Sequence, residues 1–283
     1  VPKLSDVINA LDELYPPQWA ESWDAVGLVC GDPDDEVRRV LFAVDPVQSV
    51  VEEAVAWGAD LVVTHHPLYL RGTTSVAASS FKGRVVHTLI RAGIALQVAH
   101  TNADHADPGV SDALAEAVGL RITGPLIPDP SDPAGRRGTG RIGELPEPLA
   151  LADFAAQVAA GLPATATGVR VAGDPQRPIR RVAVCGGSGD SFFAEVRAAG
   201  VDAYLTADLR HHPASEAAEA GPGIALLDAA HWATEWPWLR LAARDLEAAA
   251  VKAGWDLTTR VSTLVTDPWT AHAPMPFDPP AAR

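Results

Sequence analysis

The chain repeats itself, and no other feature constrains its fold as much. Residues 37–64, VRRVLFAVDPVQSVVEEAVAWGADLVVT, align without a gap on residues 179–206, IRRVAVCGGSGDSFFAEVRAAGVDAYLT, at an offset of 142. Nine of the 28 positions are identical, among them Arg38/Arg180, Arg39/Arg181, Gly58/Gly200, Asp60/Asp202 and Thr64/Thr206. Composition alone would give roughly two or three. A shorter echo follows, with Gly93-Ile94-Ala95-Leu96 recurring as Gly223-Ile224-Ala225-Leu226 at an offset of 130. Each unit reads as strand, turn, helix, strand, loop, helix, strand. Val40–Val44 and Val182–Val184 are strand cores, residues 49–57 and 191–199 carry helical spacing, and Gly58 or Gly200 ends each helix. Alternating strands and helices imply mainly parallel sheets. The expected fold is therefore α/β, with two interlinked pseudo-symmetric lobes and a ligand site between them.

The expected organisation is a first lobe over residues 1–125, a Pro/Gly-rich linker over 126–145 and a second lobe over 146–270. The C-terminal part of the second lobe can pack back on the first, and residues 271–283 form a frayed tail rich in proline.

Parallel sheets bind ligands beyond the carboxyl ends of their strands. Four such ends carry side chains suited to a metal. The run Asp60–Thr64 leads into His65-His66-Pro67, and Gly93–Ala99 leads into His100 and on to Asp104 and His105. In the second repeat, the strand ending at Thr206 leads to Asp208, His211 and His212, and Ile224–Leu227 leads to Asp228, His231 and Glu235. Mixed imidazole and carboxylate donors suit Zn, Mn, Fe, Co or Ni and are typical of hydrolytic two-metal sites. His231 and Glu235 share a face if they lie on one helix. Pro237 implies that this helix starts near Ala233 or Thr234, with His231 just ahead of it.

Each residue alone has a plainer reading. A histidine beside a turn is most often hydrogen-bonded in the core or at the surface. Asp104 and Asp228 precede helical stretches and suit N-caps, and Glu235 suits a first-turn acid. The coincidence of several donors at the strand ends of both repeats is what favours a metal site. Asp208 is the repeat counterpart of His66 and should face the same crevice, in a role left open. Cys185-Gly186-Gly187-Ser188-Gly189 suits a backbone phosphate cradle and close helix–strand packing equally well. It lacks the lysine of a P-loop, and Asp190 breaks the pattern of a nucleophile elbow.

Net charge is 22 − 36 = −14, which argues against nonspecific nucleic-acid binding. No apolar run approaches the roughly 18 residues of a membrane span. The first residues lack the basic-then-apolar pattern of an export leader, and two cysteines, Cys30 and Cys185, make no disulfide framework. The expectation is a cytoplasmic protein with both thiols reduced.

Taken together, Ser22-Trp23-Asp24-Ala25-Val26-Gly27-Leu28, Thr64-His65-His66-Pro67-Leu68, His100-Thr101-Asn102-Ala103-Asp104, Cys185–Gly189, Tyr204–Asp208 and His231-Trp232-Ala233-Thr234-Glu235 resemble the GTP cyclohydrolase 1 type 2 homologues, or NIF-three-like family. The likeness runs from about residue 4 to about residue 270. It implies two divalent metal ions per chain, held here by His65, His66, Asp104, His231 and Glu235. It also implies a ring-like homohexamer with these sites facing an internal cavity. Ala25 and Ala207 depart from the family's frequent Asn and Gly, which bears on substrate contacts and not on metal binding. The activity implied is hydrolysis by a metal-activated hydroxide attacking the ring of a GTP-like purine nucleotide, a small-molecule substrate. His100 or His211 would move protons. The alternatives are a non-catalytic metal-binding or regulatory hexameric assembly, and a metal-dependent phosphoesterase.

Overall fold

The structure is a computed structural model that describes residues 1–220 and 223–275. Helix α1 (Leu4–Leu14) precedes strands β1 (Gly27–Cys30) and β2 (Arg39–Ala43), then α2 (Gln48–Trp57) and β3 (Leu61–Thr64). Next come α3 (Phe81–Ala92), β4 (Ala95–Val98), α4 (Thr101–His105) and α5 (Val110–Ala117). Two long strands, β5 (Arg121–Pro128) and β6 (Gly138–Ala150), lead to α6 (Leu151–Gly161) and β7 (Val169–Ala172). The second repeat follows as β8 (Pro178–Ser188), α7 (Phe193–Ala198), β9 (Ala203–Ala207), α8 (His211–Glu219) and β10 (Ala225–Ala229). The long helix α9 (His231–Ala253) and strand β11 (Thr258–Val261) close the described fold.

The repeat is realised down to single hydrogen bonds. Strands β2, β3 and β4 are parallel, with Val40 opposite Leu61 and Leu61 opposite Ala95. Strands β8, β9 and β10 are parallel in the equivalent register, with Val182 opposite Ala203 and Ala203 opposite Ala225. Asp60 accepts hydrogen bonds from the backbone N–H groups of Arg38 and Arg39, both at 2.8 Å. Its counterpart Asp202 accepts them from Arg180 and Arg181 at 2.9 and 2.8 Å. The shared Arg-Arg and Asp positions are thus a strand-pairing clamp used twice. Gly58 ends α2 at φ 70°, a left-handed conformation that glycine reaches without strain.

The first sheet runs β1-β4-β3-β2-β11 and the second β5-β6-β8-β9-β10-β7. Strand β11 pairs in parallel with β2, so the end of the chain returns to the first sheet and interlinks the lobes. Residues 126–145, expected to be a linker, are for the most part strand. There β5 pairs antiparallel with β6, and β6 with β8. The Pro/Gly-rich composition belongs to the connecting loop at 129–137 and to strand irregularities, and extended pairing tolerates both.

Alternation along the strands sorts the core. Val40, Phe42, Leu61 and Val63 share one core with Val182, Val184, Ala203 and Leu205. Trp238, Leu239, Ala242 and Leu246 of α9 fill the space between the two sheets. The opposite faces are covered separately. Leu41, Val62 and Leu96 lie under α2 and α3, and Ala183, Tyr204 and Leu226 under α7 and α8. Both sheets therefore turn their inner faces toward α9, and its first turn stands at the carboxyl ends of both strand sets. Among the described residues, no helix is long and apolar enough to cross a membrane.

Candidate metal centre

Four imidazoles converge where the strand ends of both lobes meet α9. His65 and His66 follow β3, His100 follows β4, and His231 opens α9. One ligand atom each from His65, His66 and His100 lie within 4.8 Å of one another, and so do those of His66, His231 and Glu235. His66 belongs to both groups, so the two groups are contiguous.

Each ring is held by its Nδ1. His65 Nδ1–H donates to the Ala99 carbonyl at 3.0 Å, and His66 Nδ1–H to Asp45 Oδ1 at 2.7 Å. His100 Nδ1–H donates to Asp24 Oδ1 at 2.8 Å, and His231 Nδ1–H to Asp208 Oδ2 at 2.7 Å. Such bonds fix the ring orientation and leave Nε2 as the free donor atom, as partners of metal-binding histidines do. His66 Nε2 lies 3.0 Å from Glu235 Oε2, and His231 Nε2 lies 2.9 Å from Glu235 Oε1. His65 Nε2 lies 3.5 Å from Glu235 Oε1 and 3.7 Å from Asp104 Oδ1.

His65 is fully buried, yet its Nε2 has no hydrogen-bond partner among the described residues. Buried polar atoms are rarely left without partners, because the loss of hydration is not offset. Such an atom facing a cluster of nitrogen and oxygen donors fits a divalent cation.

The charges agree. Burial pushes the Glu235 carboxyl up, but the charges of His66, His231 and His65 outweigh this and hold it well below the usual carboxylate range. Burial alone would lower His66, but the Glu235 carboxylate and the Asp45 hydrogen bond raise it to about 10. For His231, Glu235 and Asp208 overcome burial and raise it to about 11. Without a metal, protons balance the buried Glu235 carboxylate, and a cation would displace them.

The structure brings together His65, His66, His231 and Glu235, with Asp104 beside His65. His100, expected only to move protons, stands among the groups able to bind metal. His211 is not brought in. It is exposed at the start of α8, with its ring 5.1 Å from that of His212, and lines a separate hollow. Helix α9 begins at His231, not near Ala233, and runs through Pro237. Tertiary packing decides this, since buried Trp238 and Leu239 follow the proline in the core. Starting the helix there puts His231 and Glu235 one turn apart, in contact.

The sequence reading missed Asp24 and Asp45. Asp45 ends β2 just as His65 and His66 end β3, so the same logic could have found it. Asp24 lies in a loop. Its partners, His100 Nδ1, the Thr101 backbone N–H at 3.0 Å and Thr101 Oγ1 at 2.5 Å, are distant in sequence. The Gly186-Gly187 pair proves to be a site floor. A Cβ on Gly187 would lie 2.4 Å from Glu235 Oε1 and 3.1 Å from His231 Nε2, and the residue sits at φ +68°. Thr206 Oγ1 donates to the Gly187 carbonyl at 2.9 Å, and the Gly187 N–H donates to Thr234 Oγ1 at 2.9 Å.

The sequence profile of the Duf34/NIF3 (NGG1p interacting factor 3) family matches residues 2–268. The chain belongs to the Duf34/NIF3 family. It is 68% identical over 272 residues to a Streptomyces coelicolor protein named GTP cyclohydrolase 1 type 2 homolog, a match covering 96% of this chain and 95% of that protein. Among solved structures, a Bacillus cereus protein related to NIF3 matches with a TM-score of 0.88 at 25% identity, covering 95% of this chain and 99% of that one. A hypothetical protein of Staphylococcus aureus matches with a TM-score of 0.87 at 29% identity, again covering 95% and 99%. The two-sheet α/β architecture is thus shared with other Duf34/NIF3 proteins.

Proposed function

We propose that this chain is a dinuclear-metal-dependent hydrolase that opens the ring of a GTP-like purine nucleotide. The observation that carries the reading is the set of four imidazoles, each held at Nδ1, three of which, His65, His66 and His231, turn Nε2 toward the buried Glu235, with His100 grouped beside His65 and His66. The names of its relatives favour this chemistry over other two-metal hydrolyses.

His65, His66, Asp104, His231 and Glu235 would hold two divalent cations, with His100 close enough to join them. Bound there, such cations supply Lewis acidity and a hydroxide nucleophile near neutral pH. The chain's own residues do the rest. Asp45, Asp24 and Asp208 keep the rings aimed, and Gly187 leaves room for the Glu235 carboxylate against β8. Asp208 is 56% exposed at the rim, and the hydrogen bond from His231 holds its carboxyl below the usual range, so it stays ionised as that ring's acceptor. The protein would work in the cytoplasm as a homohexamer, with a small nucleotide as substrate.

Elemental analysis of the purified protein beside a His65→Ala/Glu235→Ala double variant tests the centre. About two metals per chain, lost in the variant, are expected. The loaded protein should then release formate from GTP. Phosphate release without formate would favour a phosphoesterase, and bound metal without turnover a regulatory assembly.

A further inference from the structure

A cavity of about 540 Å³ opens beside the cluster. This is within the range of small-molecule sites, roughly 300–1,000 Å³. His66 and His231 form part of its lining, and Asp267 and Trp269 form another part. Residues 262–272, the last two of them in the expected frayed tail, are tied down beside the site. Ser262 Oγ donates to Glu53 at 2.6 Å, Thr266 Oγ1 to Asp45 at 2.5 Å, and His272 Nδ1–H to the Ala166 carbonyl at 2.6 Å. The expected frayed tail otherwise falls at 276–283, outside the described residues.

Four carboxylates line the cavity, and three are held by side chains. Asp45 holds His66 and Thr266, Asp208 holds His231, and Asp228 pairs with Arg170. Asp267 differs. It is only 8% exposed, and although the carboxylate accepts from the Trp269 backbone N–H, its Oδ2 is buried with no hydrogen-bond partner among the described residues. An unpaired buried carboxylate oxygen calls for a ligand that brings donors. Two residues on, Trp269 leaves 66% of its surface exposed on the same lining. An exposed indole face suits a flat heterocycle.

We infer that Asp267 and Trp269 form a base-recognition wall that selects guanine. This rests on the proposed nucleotide substrate and goes beyond it in naming the residues that choose the base. Guanine presents adjacent N–H donors, N1–H and the 2-amino group, which one carboxylate can accept together. Adenine places a bare N1 lone pair against that carboxylate, and hypoxanthine offers N1–H alone. Asp267, His66 and His231 line the same cavity. A bicyclic base held at the wall by its Watson–Crick edge would turn its five-membered ring toward the cluster.

The test is isothermal titration of the intact protein with guanosine, inosine, adenosine and xanthosine, with and without metal loading. Guanosine should bind roughly ten- to hundredfold more tightly than inosine or adenosine, as expected for hydrogen bonds to a charged acceptor. Asp267→Asn should erase that preference and favour xanthosine, whose O2 accepts from the new amide where guanine would donate. Trp269→Ala should weaken all four nucleosides alike. The gain for xanthosine separates recognition from a folding defect, since an unfolded variant gains nothing. Equal affinity for guanosine and adenosine, or an order of preference unchanged in Asp267→Asn, overturns the inference. Formate release from GTP is scored separately. Turnover with unaltered base preference in Asp267→Asn removes this inference alone, and base discrimination without turnover removes the hydrolase reading alone.

Discussion

The strand ends of the two lobes have the same backbone and opposite duties. In the first lobe, β2 leads to Asp45, β3 runs into His65 and His66, and β4 leads to His100. At the equivalent places in the second lobe stand Gly187, Ala207 and Asp208. The first lobe supplies imidazoles. The second supplies space, one carboxylate and the helix bearing His231 and Glu235. A repeat whose pairing register is conserved can therefore diverge completely at the residues just past its strands. Register depends on alternation within the strand, and the residues beyond it carry no such constraint.

That asymmetry can be broken most sharply at Glu235, the carboxylate reached by both lobes. Glu235→Gln should lower metal affinity by more than the roughly 10–100-fold typical of a supporting residue, read by competition with a chelator. Retention of metal at native affinity would mean that Glu235 is not an essential ligand and that His231 alone carries the second lobe's share.

The paired positions Asp45 and Gly187 come next. Gly187→Ala should destabilise the fold by about 2–5 kcal/mol, combining left-handed strain with overpacking against Glu235, as read by denaturant titration. Asp45→Asn, its counterpart, should leave stability nearly unchanged and cost roughly 10–100-fold in metal affinity. Equal stability losses at the two positions would erase the distinction between a lobe that makes room and a lobe that aims rings.

Asp45 and Asp208 sharpen it further, because each holds one histidine. Asp45 is 22% exposed and Asp208 is 56% exposed. Water replaces a lost partner more easily at the exposed position, so Asp208→Asn should weaken metal binding less than Asp45→Asn.

The smallest effect is on pH dependence. His66 is raised to about 10 and His231 to about 11 in the folded chain, both above an ordinary imidazole near 6.5. In the metal-free protein, the stability these protons supply is complete below about pH 6.5. It fades as pH rises through about 10–11. Thermal melting of stripped protein should therefore show a lower Tm at pH 10 than at pH 6.5. Metal affinity should move the other way, rising with pH, because the cation competes with the same protons.

Much of this was legible in the sequence. The offset of 142 showed the repeat, the glycines marked where helices stop, and the strand-end rule located His65, His66, His231 and Glu235. It failed where a local signal pointed away from the tertiary outcome. Proline and glycine between residues 126 and 145 read as a linker, although that segment pairs with a sheet formed by later strands. Pro237 read as a helix boundary, although packing of Trp238 and Leu239 carries the helix through it. His211 read as a cluster neighbour because it follows a strand end, but the turn after β9 leaves it at the surface.

By itself the sequence determined the repeated strand–helix units, the parallel pairing within them and which side chains are candidate metal donors. All of these rest on periodicity and on chemistry carried within short segments. Only the tertiary structure decided which carboxylate holds which imidazole. His66 meets Asp45 across 21 residues, His231 meets Asp208 across 23, and His100 meets Asp24 across 76. It also decided that Gly187 lies against Glu235 and that Asp267 Oδ2 is left without a partner among the described residues beside the site. Such pairings follow from how two sheets close on one helix, and no local pattern encodes that closure.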